Sequence, residues 1–94
     1  MRVLFKDHTG DLCASEVSFM SYYCSANIDG PKGLCLILNT GVYYVCKDIN
    51  RFESEEYVRE IAKNGFIDLS DYKFFNATDD ILDDYNRNSL NFFM

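Results

Sequence analysis

The chain has few of the residues on which common catalytic and metal sites depend. Among 94 residues there is one histidine, His8, and no tryptophan. The four cysteines (Cys13, Cys24, Cys35 and Cys46) do not form the tight pairs that are typical of zinc sites. His8 stands in a polar stretch and is interpreted as a turn residue, and no glycine-rich phosphate loop is present. The sequence therefore predicts a protein that is not an enzyme and needs neither a metal nor a cofactor.

Long apolar runs are also absent. No stretch approaches the roughly 18–20 apolar residues of a membrane-spanning helix. The first residues, Met1 to Asp7, carry charge too early for a secretory signal. We therefore expect a cytoplasmic protein that does not enter a membrane, with its thiols reduced.

Positive charge is scarce, and the imbalance is confined to one half. Nine bases oppose fifteen acids, which gives a formal net charge of −6. Residues 1–47 hold four acids and four bases, whereas residues 48–94 hold eleven acids and five bases. Nucleic-acid affinity requires lysine and arginine against the phosphates. The composition therefore excludes direct nucleic-acid binding and favours a protein partner with a basic surface.

The middle of the chain predicts a hairpin followed by a helix. Apolar runs at 34–38 and 42–46 flank a glycine turn, and both runs are apolar on both faces, as expected at a sheet centre. Ser54 is the predicted N-cap of the next helix, and Gly65 the predicted stop. Thr78 can cap a short C-terminal helix. The fold class predicted for residues 1–94 is a single α+β domain: an antiparallel sheet of four to five strands, one main helix at about 54–64, and the short C-terminal helix.

The register of the hairpin decides whether two cysteines face each other. A two-residue turn at Thr40-Gly41 would place Cys35 opposite Cys46, whereas a three-residue turn would not. Because the compartment is expected to be reducing, the cysteines are interpreted as buried free thiols either way.

The candidate partner-binding residues are the acids of the second half. They are Asp79, Asp80, Asp83, Asp84, Glu53, Glu55, Glu56, Glu60, Asp68 and Asp71. Carboxylates at i, i+4 on a helix lie about 6 Å apart along its axis, comparable with neighbouring phosphates on a nucleic-acid strand. Like charges at this spacing do not help the helix itself. The hypothesis is nucleic-acid mimicry directed at a basic groove, and the alternative is a solvated acidic face.

Part of the chain resembles a known class of inhibitor. The hairpin at 36–45 and the acidic helix that ends at Lys63-Asn64-Gly65-Phe66 resemble the hairpin and helix of small phage anti-CRISPR proteins, over about half the chain. The resemblance implies a compact acidic α+β inhibitor whose carboxylates occupy the DNA-binding groove of a type II CRISPR effector.

Two other interpretations stay open. The layout of residues 1–61 is similar to that of FlbD-type small motility proteins, which implies a regulatory adaptor. Such an adaptor would bind through aromatic side chains, with charge incidental: Tyr22, Tyr23, Tyr43, Tyr44, Phe92 and Phe93. The third interpretation is a small-ligand binder whose pocket forms at the interface of a homodimer or larger oligomer.

Overall fold

The α+β class is confirmed, with six strands and two helices. The computed structural model describes the backbone of residues 1–93 and the side chains of residues 1–86. In chain order the elements are β1 (Arg2–Lys6), β2 (Leu12–Cys24), β3 (Lys32–Leu38), β4 (Tyr43–Cys46), α1 (Arg51–Asn64), β5 (Phe66–Lys73), β6 (Phe75–Asn76) and α2 (Thr78–Phe93).

The strands form one sheet in the order β5-β1-β2-β3-β4-β6. Neighbours are antiparallel except β1 and β5, which run parallel, with Val3 opposite Ile67. The sequence predicts four or five strands, all antiparallel. The structure differs from this prediction in the parallel pair of β1 and β5 and in the presence of a sixth strand. The physical reason is the crossover: α1 carries the chain from β4 across the sheet to the far side of β1, and a crossover connection of this kind allows parallel pairing.

The long strand β2 belongs to two pairings. Its first part pairs with β1, and its second part, from Val17 onward, pairs with β3. The register shifts between Val17 and Phe19, and the Ser18 hydroxyl donates to the carbonyl of Ile37 at 3.1 Å. This bulge lies just after Ala14-Ser15-Glu16. It lets one strand serve both halves of a curled sheet.

The central hairpin has a three-residue turn. Leu34 is opposite Cys46 and Cys35 is opposite Val45, so the two cysteines do not face each other. Gly41 has φ +88°, and its N–H donates to the carbonyl of Leu38 at 2.9 Å. All four cysteines are free thiols, and Cys35 and Cys46 are buried.

This burial predicts unequal thiol reactivity. Burial raises the pKa of Cys35 to about 12 and also raises that of Cys46, so very little nucleophilic thiolate forms at either site. Under a chromogenic disulfide reagent at about pH 8, exposed Cys24 should react first. Cys35 and Cys46 should react only at the rate of unfolding, which added urea would increase. Equal, fast reaction of all four native thiols would contradict this arrangement.

The main helix begins earlier than the sequence predicts. Its N-cap is Asn50, whose side chain accepts the N–H of Glu53 at 2.8 Å. Ser54 is not the cap: it is fully buried in the first turn, and its hydroxyl donates to the Asn50 carbonyl at 2.7 Å. The C-terminal prediction is confirmed at Gly65, which has φ +74° and donates to the carbonyl of Ile61 at 2.8 Å. This single bond is the left-handed glycine motif.

The two helices cover opposite faces of the sheet. Alternate residues of a strand point to opposite faces. On β3, Leu34 and Leu36 join the main core with Ile61 of α1, whereas Cys35 joins a smaller cluster with Ile81 of α2. The central hairpin is therefore covered by a helix on each face of the sheet.

The C-terminal helix is longer than predicted, at 16 residues. Its N-cap position is Ala77, whose carbonyl accepts the N–H of Ile81 at 2.9 Å. Thr78 instead accepts the N–H of Tyr43 at 2.9 Å and donates to the Asn76 side chain at 2.7 Å, which ties the start of α2 to β4. Through residue 93, neither helix has the length and apolar character needed to cross a membrane. The side chains of the apolar C-terminal end, and any packing of them on the core, lie outside the described residues.

Candidate functional site

Most of the predicted partner-binding acids are accessible to solvent. Eight of the ten are exposed, Glu53 is half-buried, and Asp84 is buried. The exposed ones are Glu55, Glu56 and Glu60 on α1, Asp68 and Asp71 on β5, and Asp79, Asp80 and Asp83 on α2. The site residues predicted from the sequence are therefore spread over three elements.

The fold does not bring these acids together on one surface. Because α1 and α2 cover opposite faces of the sheet, the acids of α1 point away from those of α2. β5 is an edge strand beside β1, and β6, next to α2, forms the opposite edge. On β5, Asp68 accepts the N–H of Ser70 at 2.9 Å, and hydrogen bonds from Ser70 lower the pKa of the Asp68 carboxyl. A single rigid partner groove contacts one of these groups rather than all of them.

Asp84 has a structural role instead of a partner-binding one. It is 4% exposed, and its carboxylate accepts hydrogen bonds from three side chains of the opposite part of the chain. The Tyr23 hydroxyl and the Ser25 hydroxyl donate to one oxygen at 2.6 Å each, and the Asn27 amide donates to the other at 3.1 Å. We call these four residues the Asp84 clamp. This corrects the prediction that Asp84 presents its charge to a partner.

A signal for the burial of Asp84 exists in the sequence. Ala77, Ile81 and Asp84 recur at i, i+4 and i+7, which places them on one helix face. Ala77 and Ile81 are buried at 1% and 6% exposure. This periodicity places Asp84 on the inner face of α2, where its carboxylate requires buried hydrogen-bond donors. The sequence alone does not identify those donors.

The clamp holds α2 against the loop between β2 and β3. Burial, followed by the hydrogen bond to Asp84, raises the pKa of Tyr23, so its phenol stays a protonated donor. Ser25 also donates its N–H to the carbonyl of Pro31 and accepts the N–H of Asn27. A Cβ at Gly30 would lie 2.0 Å from the Ser25 oxygen, so the loop requires glycine there. The clamp therefore fixes the position of α2 relative to the sheet.

The acids that face outward from α2 form a single-sign surface. Asp79, Asp80 and Asp83 are all exposed, and Asp79 and Asp83 are at i, i+4 on the outer side, opposite buried Ile81. We call these three residues the α2 ridge. Over 78–93 the sequence holds four acids and one base, Arg87.

The outer face of α1 is mixed in charge. Over 51–64 the sequence holds four acids and three bases. Arg59 and Glu55, one turn apart, form an exposed ion pair, with 4.0 Å between Arg59 Nη2 and Glu55 Oε2. A basic partner would therefore meet both attraction and repulsion on α1, whereas all three residues of the α2 ridge are acidic, with Lys47 in the groove beside Asp80 and Asp83.

Two grooves run along the sides of α2. The polar groove, of about 410 Å³, lies between α2 and the clamped loop, and its lining includes Asp80, Asp83 and Lys47. Lys47 there lies 4.8 Å from the centre of the Phe75 ring. The aromatic groove, of about 470 Å³, lies between α2 and the face of β2, β3 and β4. It is lined by Phe19, Ser21, Tyr22, Tyr23, Cys35, Ile37, Tyr43, Ile81, Leu82 and Tyr85.

The aromatic residues of the adaptor interpretation are also divided by the sheet. Tyr23 and Tyr43 line the aromatic groove. Tyr22 touches its edge, but its ring lies 4.7 Å from the guanidinium of Arg51 on α1, on the other face of the sheet. Tyr44 points to the other face, where its ring lies 5.2 Å from that of Phe5 in the main core. The side chains of Phe92 and Phe93 lie outside the described residues. Two of the six predicted aromatics, Tyr23 and Tyr43, thus share one surface, and Phe19 and Tyr85 join them there without having been predicted.

Among the residues that the structure describes, no group of three histidine, cysteine, aspartate or glutamate side chains is arranged to hold a metal ion. Comparison with protein-family models, with curated proteins and with solved structures finds no match to this chain. The resemblances to anti-CRISPR inhibitors and FlbD-type proteins therefore stay predictions.

Proposed function

We propose that this protein is a small non-enzymatic inhibitor that binds a basic groove of a nucleic-acid-processing or defence protein through the α2 ridge. The observation that carries the proposal is the single sign of charge on an exposed helix face: Asp79, Asp80 and Asp83, with no base among the outward residues up to Asn86. Single-sign surfaces steer oppositely charged partners and speed their association. Of the predicted acids, the three exposed ones on α2 are those that suit this role.

The geometry of the ridge suits mimicry of a nucleic-acid strand. Asp79 and Asp83 are one helical turn apart, which separates their carboxylates by about 6 Å along the axis. The Asp84 clamp holds the helix by three hydrogen bonds to its carboxylate. A rigid row of carboxylates loses little conformational entropy on binding, so it competes well for a groove of lysine and arginine side chains.

The non-enzymatic part of the proposal has its own support. The only histidine, His8, is exposed in the β1–β2 turn, next to Asp7, whose carboxylate instead accepts the N–H groups of Thr9 and Asp11. The buried thiols of Cys35 and Cys46 have raised pKa values, which suppresses their nucleophilicity. Binding, rather than bond-making, is what the side chains of residues 1–86 suit.

Neutralising the ridge should abolish partner binding while leaving the fold intact. The test variant is Asp79→Asn, Asp80→Asn, Asp83→Asn. The matched control is Glu55→Gln, Glu56→Gln, Glu60→Gln, which removes the same charge from the opposite face. Wild-type protein immobilised as bait should retain a basic protein from a host lysate, the α2 variant should not, and the α1 variant should. The retained protein should elute between roughly 0.1 and 0.5 M salt because exposed charges are screened.

The outcome of that comparison is decisive in either direction. If the α2 variant retains the same protein as the wild type, or if the α1 variant alone loses it, the α2 ridge is not the binding surface. Circular dichroism of both variants checks that the fold persists.

The most specific form of the proposal is inhibition of a type II CRISPR nuclease, as the anti-CRISPR resemblance implies. The assay is cleavage of a target DNA by the guide-loaded nuclease with increasing amounts of this protein. Inhibition that is relieved by excess target DNA supports occupation of the DNA groove. Absence of inhibition by this protein removes this class of partner and leaves other basic nucleic-acid-binding proteins to be tested in the same way.

An adaptor that binds through aromatics is the second candidate, favoured by the aromatic groove. Phe19 is 53% exposed and Tyr85 68% exposed, and both line this one concave surface. Salt separates the two candidates, because apolar binding persists at about 0.5 M salt where binding by exposed charges weakens.

A further inference from the structure

The aromatic groove is rimmed by large apolar side chains that reach solvent. Phe19 on β2 is 53% exposed, and Leu82 and Tyr85 on α2 are 44% and 68% exposed. They surround a concave space of about 470 Å³ rather than standing as isolated residues. An exposed apolar patch with a concave floor is characteristic of interaction sites.

The dimensions of the groove suit one helix. Its floor is formed by Ser21 of β2, Ile37 of β3 and Tyr43 of β4. Neighbouring strands lie about 4.8 Å apart, so three strands span about 10 Å, which is the diameter of one α-helix. The helix α2 forms one wall of this space through Leu82 and Tyr85. A second helix laid beside α2 would therefore complete the layer on this face of the sheet.

The charges beside the groove determine what kind of helix fits. Leu82 lies on the rim and follows Asp79 by three residues, so Asp79 borders the apolar wall, whereas Asp80 and Asp83 line the polar groove on the other side of α2. A lysine or arginine side chain can lie across apolar surface with its stem and place its charged end at the Asp79 carboxylate. An acidic helix in the same position would be repelled.

We propose that the aromatic groove takes one amphipathic helix of the basic partner, with apolar side chains at i, i+3/i+4 and i+7 on the groove floor and lysine or arginine side chains toward Asp79. The inference rests on the proposed function, because it assigns the groove and the α2 ridge to the same partner. Under this inference, binding of the partner depends on apolar contact in the groove as well as on charge.

The probe is a synthetic amphipathic helix of about 18 residues with leucine on one face and lysine along its flanks. Two control peptides have the same leucine positions with glutamate for lysine, and the same composition in scrambled order. Binding is measured by fluorescence anisotropy and mapped by amide chemical shifts. The leucine–lysine helix should bind and shift the amides of Phe19, Ile37 and Tyr43, and both controls should bind at least about tenfold more weakly.

The groove variant is Leu82→Ala with Tyr85→Ala, both at exposed positions, and its matched control is Phe52→Ala on α1, which is 70% exposed. The groove variant should bind the leucine–lysine helix at least about tenfold more weakly than the wild type does, and the control should bind it as the wild type does. Equal binding of the scrambled peptide, absence of binding up to about 1 mM, or a groove variant that matches its control would overturn the inference. So would a concentration-dependent dimer that the groove variant abolishes, since the groove would then hold a second copy.

The basic protein retained by the wild-type bait separates this inference from the proposed function. If the groove variant binds that protein normally and the α2 ridge variant does not, the groove inference fails and the proposed function stands. If both variants bind that protein normally, the groove inference and the proposed function both fail.

Discussion

Replacing Gly33 by alanine is expected to destabilise the fold by about 3 kcal/mol or more, because the backbone there combines a forbidden conformation with a steric clash. Gly33 lies in the central strand β3 with φ +146°. A Cβ at this position would lie 1.9 Å from the carbonyl oxygen of Cys46 and 2.7 Å from its carbon, both backbone atoms of the neighbouring strand. Neither can move without shifting β4, so the hairpin has to distort.

Gly41→Ala provides the matched control. Gly41 has φ +88°, but nothing lies within 4 Å of the position of its added Cβ. Its substitution should cost only the conformational strain, about 1–2 kcal/mol. Urea unfolding followed by circular dichroism measures both, and loss of any cooperative transition in Gly33→Ala counts as the full effect. Equal stability of the two variants would show that the close approach of Gly33 to β4 is not a constraint.

Removing the Asp84 carboxylate is expected to destabilise the protein by about 3 kcal/mol, because it leaves buried donors without an acceptor. Asp84→Ala leaves the hydroxyls of Tyr23 and Ser25 without the acceptor to which both donate at 2.6 Å in the native clamp. Asn86→Ala, at an exposed position of the same helix, should change stability by less than about 0.5 kcal/mol. The midpoint of urea unfolding at constant m-value measures the difference.

A double-mutant cycle tests whether the clamp acts as one unit. Tyr23→Phe in the wild type removes one hydrogen bond and should cost about 1 kcal/mol or more. In the Asp84→Ala background the same change should cost much less, because the phenol no longer has a charged acceptor. Additive costs in the cycle would mean that Tyr23 and Asp84 contribute independently, contrary to the geometry. Because the clamp positions α2, Asp84→Ala should also weaken partner binding.

Local features of the fold follow well from the sequence. The Asn39-Thr40-Gly41 turn and the Gly65 helix stop each depend on one glycine with positive φ, at +88° and +74°. Such positions are set by short-range sterics, so a single sequence is sufficient to predict them. The start of α1 is less well determined, because Asn50 and Ser54 are both good N-caps and tertiary burial of Ser54 decides between them.

The candidate site depends on contacts that are distant in the chain. The pairing of β1 with β5 joins Val3 to Ile67, and no local pattern indicates it. It is this crossover that places α1 and α2 on opposite faces and divides the predicted acids. The Asp84 clamp likewise joins residues that are about sixty positions apart, such as Tyr23 and Asp84. Charge alone therefore predicts an acidic protein, but only the fold selects Asp79, Asp80 and Asp83 as the row that shares one surface.

The central claim is that this row, and not acidity in general, binds the partner. The most direct measurement is the dissociation constant of the protein retained by the wild-type bait, determined by isothermal titration for the α2 and α1 triple variants, which carry the same net charge. The account predicts that the α2 variant binds at least about tenfold more weakly than the α1 variant, with the difference shrinking as salt rises. Equal dissociation constants for the two variants would contradict it, because binding would then depend on net charge alone.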